Sequence, residues 1–155
     1  MGMPLTHGLM LMHNALVGTG LRDQIEIGAS GKVAGGSDIV MRMIQGADYT
    51  NSARAMMMAT GCIQAQRCHT GECPSGVATQ DPRRNRAIVV EDKSKAVYNF
   101  HKTTVNTAVR LMASMGVADP SELRPDMLRR NISPTESRSY ASIYGWLRPG
   151  QLLDD

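Results

Sequence analysis

The chain has 155 residues, with 17 lysines and arginines against 14 aspartates and glutamates, and a formal net charge of +3. This mild charge argues against a nucleic-acid-binding protein, whose basic residues would be more strongly clustered. Hydrophobic residues make up 42% of the chain, which is enough for a core and excludes a disordered chain. The length suits one domain and is too short for a complete (β/α)8 barrel, which takes about 200 residues or more.

Membrane insertion and secretion are both disfavoured by the sequence. No stretch reaches the roughly 18 consecutive apolar residues that a transmembrane helix needs, and no lysine or arginine precedes the apolar run 9–17 as it would in a signal peptide. The three cysteines are an odd number, whereas a secreted disulfide framework more often has an even one. We expect a soluble, cytoplasmic chain with neither a membrane nor a nucleic acid as partner.

Helices and short strands alternate through the first 60 residues. Apolar periodicity and glycine positions predict a helix over 6–17, a strand over 24–28, a glycine-rich turn over 29–37, a helix over 38–45 with Ser37 as its N-cap, a strand over 47–50 and a helix over 53–60. Strands that alternate with helices at this spacing are typical of parallel α/β structure.

The rest of the chain is a polar loop followed by helices. Residues 61–82 are mostly polar and contain glycines and prolines. This composition predicts an ordered loop. Apolar residues at helical spacing predict a long helix over 93–115, which Gly116 ends. Short helices are expected from Asp119 and from Pro125. The segment from Ser133 onward is expected to be a tail that packs over another surface.

Three cysteines lie within twelve residues of that loop, at Cys62, Cys68 and Cys73. Thiolates are costly to bury together unless a cation shares their charge, so this spacing favours a soft metal or an iron–sulfur cluster. Arg67 would further favour the thiolate of Cys68. Zinc held with His69 as a fourth ligand is an alternative, but adjacent side chains rarely point at one ion, and three sulfurs fit a three-iron cluster better. Unrelated buried cysteines, or a disulfide with one spare cysteine, are the remaining alternatives.

Two loops before helices predict an anion site. The first offers backbone N–H groups within Ser30-Gly31-Lys32 and Gly35-Gly36-Ser37, and the second offers a hydroxyl and a guanidinium in Ser52-Ala53-Arg54. In (β/α)8 barrels the loops after the seventh and eighth strands commonly bind phosphate. Plain turns and a solvated Arg54 are the alternative.

The cysteine segment, residues 61–80, resembles the cluster-binding segment of the glutamate synthase large subunit family. Residues 30–38 resemble the FMN-phosphate loop of the same family, and residues 137–144 resemble its end. The resemblance covers nearly the whole chain. The resemblance of the cysteine segment is highly specific, because the cysteine spacing, Pro74 after the third cysteine and the run Gly-Val-Ala-Thr-Gln at 76–80 all agree with that family.

The resemblance implies an α/β chain that forms part of a TIM (β/α)8 barrel. Residues 1–61 would be the C-terminal portion of the FMN-binding barrel, with its last two strand–helix units. Residues 62–82 would be the iron–sulfur loop, and residues 83–155 a C-terminal helical extension. Cys62, Cys68 and Cys73 would each bind one iron of a 3Fe–4S cluster. The FMN phosphate would be held by Ser30, Gly31, Lys32, Gly35, Gly36, Ser52, Ala53 and Arg54.

The implied function is that of a glutamate synthase-like oxidoreductase, which makes glutamate from 2-oxoglutarate and glutamine-derived ammonia. The resemblance assigns no catalytic residue to this chain and implies that it is inactive alone. Its partners would be the remainder of the barrel or a glutaminase domain or subunit, and an electron donor, either ferredoxin or an NADPH-dependent subunit. The alternative is a truncated, inactive fragment or a non-enzymatic metal-binding module. Residues 51–54 indicate the shorter glutamate-synthase-like group, whose substrate can differ.

Overall fold

The computed structural model describes residues 2–154, and within them helices and strands are mixed. The helices are α1 (Leu5–Gly18), α2 (Gly36–Ile44), α3 (Arg54–Ala59), α4 (Pro82–Asn85), α5 (Val90–Ser114) and α6 (Tyr140–Ile143). The strands are β1 (Gly28–Ser30), β2 (Tyr49–Asn51), β3 (Arg129–Ser133) and β4 (Glu136–Ser139). None of the helices described here is long and apolar enough to cross a membrane.

Strands β1 and β2 form a parallel pair, with Gly28 opposite Tyr49 and Ser30 opposite Asn51. Helix α2 connects them, so the predicted order of helix, strand, helix, strand and helix is confirmed. The first strand was predicted over 24–28 and lies further on, because residues 22–24 form a 3-10 turn. No closed barrel is present in the described part of the chain. That the pair belongs to a larger barrel stays a prediction.

The predicted N-cap of α2 was wrong. Gly35 is the N-cap residue, and Ser37 lies inside the first turn of the helix. The carboxylate of Asp38 accepts hydrogen bonds from the N–H groups of Ala34 (2.9 Å) and Gly35 (3.0 Å). A carboxylate at this end of the helix accepts hydrogen bonds from backbone N–H groups that would otherwise have no partner. Asp38 thereby fixes the second half of the glycine-rich turn.

The main core lies where α2 packs against α5. Val40 and Ile44 of α2 meet Ala108 and Met112 of α5, and Val117 and Leu123 extend the cluster. Each fully buried valine, isoleucine, leucine or methionine side chain contributes about 1.5–3 kcal/mol. Helix α5 confirms the predicted long helix, which was expected over 93–115 and is found at Val90–Ser114. Gly116 follows it with a positive φ of 74°.

The C-terminal segment packs over α1, as the prediction of a packed tail required. Asn14 of α1 is buried, and its side chain binds this segment through three hydrogen bonds. Its Nδ2 donates to the carbonyls of Tyr144 and Gly145 (both 3.1 Å), and its Oδ1 accepts from the N–H of Leu147 (2.8 Å). The antiparallel hairpin of β3 and β4 was not predicted, because its residues are almost all exposed and show no alternation of apolar and polar positions.

His13 joins the same segment to α2 and is half-buried. Its Nδ1 lies 3.3 Å from the carbonyl oxygen of Gln45, and its ring meets the edge of Trp146 at a centroid distance of 4.7 Å. Burial, followed by the positive charge of Arg22, lowers the pKa of His13 below 6.5, and the Gln45 carbonyl and Asp48 oppose the shift only in part.

Acidification is therefore expected to destabilise the fold. The native state disfavours the protonated ring, so the stability that depends on neutral His13 is complete above pH 6.5 and is lost as the pH falls through the lowered native pKa. Trp146 is the single tryptophan of the chain, and its fluorescence in urea titrations at several pH values measures the effect. The fall in the free energy of unfolding with decreasing pH should persist in His7→Gln and become smaller in His13→Gln. An unchanged fall in His13→Gln would contradict the assignment.

Candidate functional site

A cleft of about 530 Å³ opens at the carboxyl ends of β1 and β2, between the loop that follows β1 and the start of α3. Five of the residues predicted to hold a phosphate line it, namely Ser30, Gly31, Lys32, Ala53 and Arg54. Asn51 and Met58 also line it and were missed. Met58 is 44% exposed at the cleft.

The cleft carries two positive charges that have no carboxylate partner in the part of the chain that the structure describes. Lys32 and Arg54 are exposed, and neither takes part in the ion pairs found among residues 2–154. Gly31 and Lys32 have positive φ values of 144° and 53°. The φ of Gly31 favours glycine, and an added Cβ there would lie 3.1 Å from the Leu5 side chain, so the conformation of this loop depends on glycine. Two cations beside bare backbone suit a phosphate group.

Three predicted phosphate ligands do not line the cleft. The Ser52 hydroxyl donates to the carbonyl of Val33 at 2.7 Å, which ties the two lining loops together. The N–H of Gly35 donates to Asp38. Gly36 is buried at the crossing of α2 and α5, where an added Cβ would contact the backbone of Ala108. These residues therefore shape the loops, and the prediction that they bind the phosphate directly has no contact in its favour.

The cysteine loop follows α3 directly and has little regular structure beyond a single 3-10 turn at Cys68–Thr70. Its backbone takes positive φ values at the non-glycine residues Gln64 (56°) and Gln66 (57°). Such conformations are costly for non-glycine residues and concentrate at functional sites. Cys62, Cys68 and Cys73 are all free thiols, with Cys68 exposed and Cys73 buried.

Two of the three sulfurs have polar neighbours within hydrogen-bond distance. The N–H of Gln64 donates to the sulfur of Cys62 at 3.4 Å. The Ser75 hydroxyl lies 3.4 Å from the sulfur of Cys73. This contact, followed by the N–H of Ala78, lowers the pKa of Cys73 from 9.0 to about 7. A thiolate is the form that binds iron or zinc.

The three thiols share a loop but not a common centre. Within residues 2–154 no group of three or more histidine, cysteine or acidic side chains converges to hold a metal ion. The donor set nevertheless fits iron and sulfide, because it consists of three soft thiols with hydrogen-bond donors beside two of them. The guanidinium of Arg67 lies 3.7 Å from the carboxylate of Glu72, so the ion pair that Arg67 forms is with Glu72.

Comparison with known proteins gives the family. A family model described as the conserved region in glutamate synthase matches residues 1–118. The chain belongs to the glutamate synthase family. The resemblance found in the cysteine segment and the glycine-rich loop is thereby confirmed at the level of the family.

Individual members of the glutamate synthase family show the same relationship. The chain is 40% identical over 119 residues to the glutamate synthase large subunit-like protein YerD of Bacillus subtilis, covering 77% of this chain and 23% of that protein. It is 37% identical over 115 residues to the ferredoxin-dependent glutamate synthase of Pyropia yezoensis, covering 74% and 7%. It is 31% identical over 129 residues to the glutamate synthase [NADPH] large chain of Bacillus subtilis, covering 82% and 8%. The chain thus spans less than a quarter of these relatives.

Proposed function

We propose that this chain is the FMN-phosphate-binding and iron–sulfur-binding part of a glutamate synthase-type oxidoreductase. The observation that carries the proposal is the position of α3 between the two candidate sites. Arg54 of the cleft begins the helix, and the cysteine loop starts at Gly61, just after its end. Six helical residues span about 9 Å, so a phosphate and a cluster held at the two ends of α3 would be close neighbours. A lysine–arginine cleft and a three-cysteine loop at opposite ends of one short helix suit a flavin paired with a cluster.

Within that function the residues have separate tasks. Lys32 and Arg54 would hold the FMN phosphate, and Ser52 would keep the two loops at the distance that the phosphate requires. Cys62, Cys68 and Cys73 would each ligate one iron of a 3Fe–4S cluster. When bound, the flavin supplies hydride transfer and the cluster supplies single electrons. No residue of this chain is assigned to the chemical step.

The substrates and partners belong to the same proposal. The complete enzyme would make glutamate from 2-oxoglutarate and glutamine-derived ammonia in the cytoplasm. The uncovered edges of the β1–β2 pair need further strands, so the remainder of a TIM barrel would be the first partner, together with a glutaminase domain or subunit. The names of the relatives support either ferredoxin or a pyridine nucleotide-dependent subunit as electron donor. A truncated, inactive fragment or a non-enzymatic metal-binding module is the alternative.

The cleft assignment is tested by comparing FMN with riboflavin, which lacks the phosphate. Calorimetry should show tighter binding of FMN by the wild-type chain. Arg54→Gln should weaken FMN binding about 10-fold or more, because a hydrogen bond to a charged group contributes about 1.5–3 kcal/mol, and should leave riboflavin binding unchanged.

The matched control for this change is Arg110→Gln, an exposed arginine on α5 that does not line the cleft. It loses the same charge and should bind FMN like the wild type. Equal FMN affinities of wild type and Arg54→Gln would refute the phosphate site.

A further inference from the structure

Lys93 of α5 reaches the backbone at the start of the cysteine loop. Its side chain is half-buried and lines a cavity of about 560 Å³ between α3 and α5, together with Met56 and Val97. Its Nζ lies 2.9 Å from the position that a Cβ on Gly61 would occupy. The ammonium group is therefore held beside the residue that precedes Cys62, the first of the three cysteines.

The backbone at that point is fixed by the end of α3. The N–H of Gly61 donates to the carbonyl of Met58 (2.9 Å), and the N–H of Cys62 donates to the carbonyl of Met57 (3.0 Å). With the positive φ of 108° at Gly61, these two bonds form a Schellman cap. Consecutive Cα atoms are about 3.8 Å apart, so the ammonium lies within about 11 Å of the Cys62 sulfur in any rotamer of that cysteine.

No carboxylate pairs with this ammonium within residues 2–154, because none of the ion pairs found there includes Lys93. Glu91 and Asp92, in the first turn of α5, are exposed. Arg67 in the cysteine loop and Arg84 after it are each paired with a carboxylate. Lys93 thus brings a positive charge to the first cysteine that no ion pair cancels.

We infer that Lys93 raises the reduction potential of the iron–sulfur cluster ligated by Cys62, Cys68 and Cys73. The inference rests on the proposed function and adds a residue to which that function gives no task. A cluster held by three thiolates is negatively charged, and one electron received from the electron donor adds a further negative charge. A fixed positive charge at this distance stabilises the reduced form more than the oxidised form, and charge is among the factors that set the potentials of such clusters.

A purely structural role for Lys93 is the alternative. A cation near the end of α3 interacts favourably with the partial negative charge of the last carbonyl groups of that helix. That role would change the stability of the chain with or without a cluster and would leave the potential of the cluster as it is. The midpoint potential therefore distinguishes the two roles.

The experiment is a redox titration of the complete chain after anaerobic reconstitution with iron and sulfide. The electron paramagnetic resonance signal of the oxidised cluster is followed against the potential, and the iron and sulfide contents are measured. Lys93→Met removes the charge and keeps an unbranched side chain for the apolar cavity. It should shift the reduction equilibrium toward the oxidised cluster about 3- to 10-fold, a tenfold shift being about 59 mV for one electron.

Lys93→Arg keeps the charge and should keep the wild-type potential. Lys95→Met is the matched control, because Lys95 is exposed on another face of α5 and does not line the cavity, and it should also titrate like the wild type. Equal potentials of wild type and Lys93→Met, or an equal shift in Lys95→Met, would overturn the inference and leave the proposed function standing. A wild-type chain that binds no three-iron cluster would overturn both.

Discussion

Replacing Cys68 by alanine is expected to abolish assembly of an iron–sulfur cluster and to leave the fold intact. Cys68 is exposed, so its loss removes a ligand without opening a cavity in the core. Each iron of a three-iron cluster needs one protein thiolate, and no fourth cysteine exists in the chain to substitute for it. Anaerobic reconstitution with iron and sulfide should give a brown wild-type protein with visible absorption and an electron paramagnetic resonance signal after oxidation. The variant should show neither.

His69→Ala is the matched control, because it alters the neighbouring exposed residue and distinguishes iron from zinc. Retention of iron and of the visible spectrum in this variant supports ligation by the three cysteines alone. Loss of bound metal from both variants, with zinc in the wild type, would favour a Cys3His zinc site. Full iron content in Cys68→Ala would refute the ligand assignment. Circular dichroism and Trp146 fluorescence should match the wild type in both variants.

Replacing Gly36 by alanine is expected to destabilise the fold by about 3 kcal/mol, at the upper end of the range for overpacking. A Cβ at Gly36 would contact the backbone N of Ala108 and lie 2.7 Å from the carbonyl oxygen of Thr104. These are main-chain atoms of α5, which cannot rotate away as a side chain would. The helices must therefore separate, and Val40 would lose contact with α5. Helix propensity alone would predict stabilisation by alanine, so the sign of the effect tests the packing.

Gly35→Ala provides the comparison within the same turn. Gly35 has a negative φ of −137°, and a Cβ there would meet nothing within 4 Å. Its cost should stay below about 1 kcal/mol, the order expected for an N-cap change. Urea denaturation of both variants measures the difference. Equal stabilities of the two variants would show that α2 and α5 do not approach as closely as described.

Gly35 and Gly36 have different structural roles that the sequence did not predict. Both lie in one glycine-rich turn, and the pattern Gly35-Gly36-Ser37 predicted backbone donors for a phosphate. Only the packing of α5 distinguishes them, because the residues that approach Gly36 lie about 70 positions further along the chain. Ser52 is a similar case, since its hydroxyl bonds Val33 in the neighbouring loop. No local pattern contains that information.

Local periodicity and spacing were sufficient to predict the alternation of helices and strands, the long helix α5 and the irregular loop with three cysteines. They also predicted that Lys32 and Arg54 belong to the same candidate anion site. Those features depend on residues a few positions apart, which share one helix face or one turn. Tertiary structure alone decided which loop residues face the cleft, that Asn14 anchors the C-terminal segment, and that Arg42 is buried beside Thr6 and Gln45. Each of these depends on contacts between distant segments, whose energies come from burial and close packing, and a local pattern does not encode them.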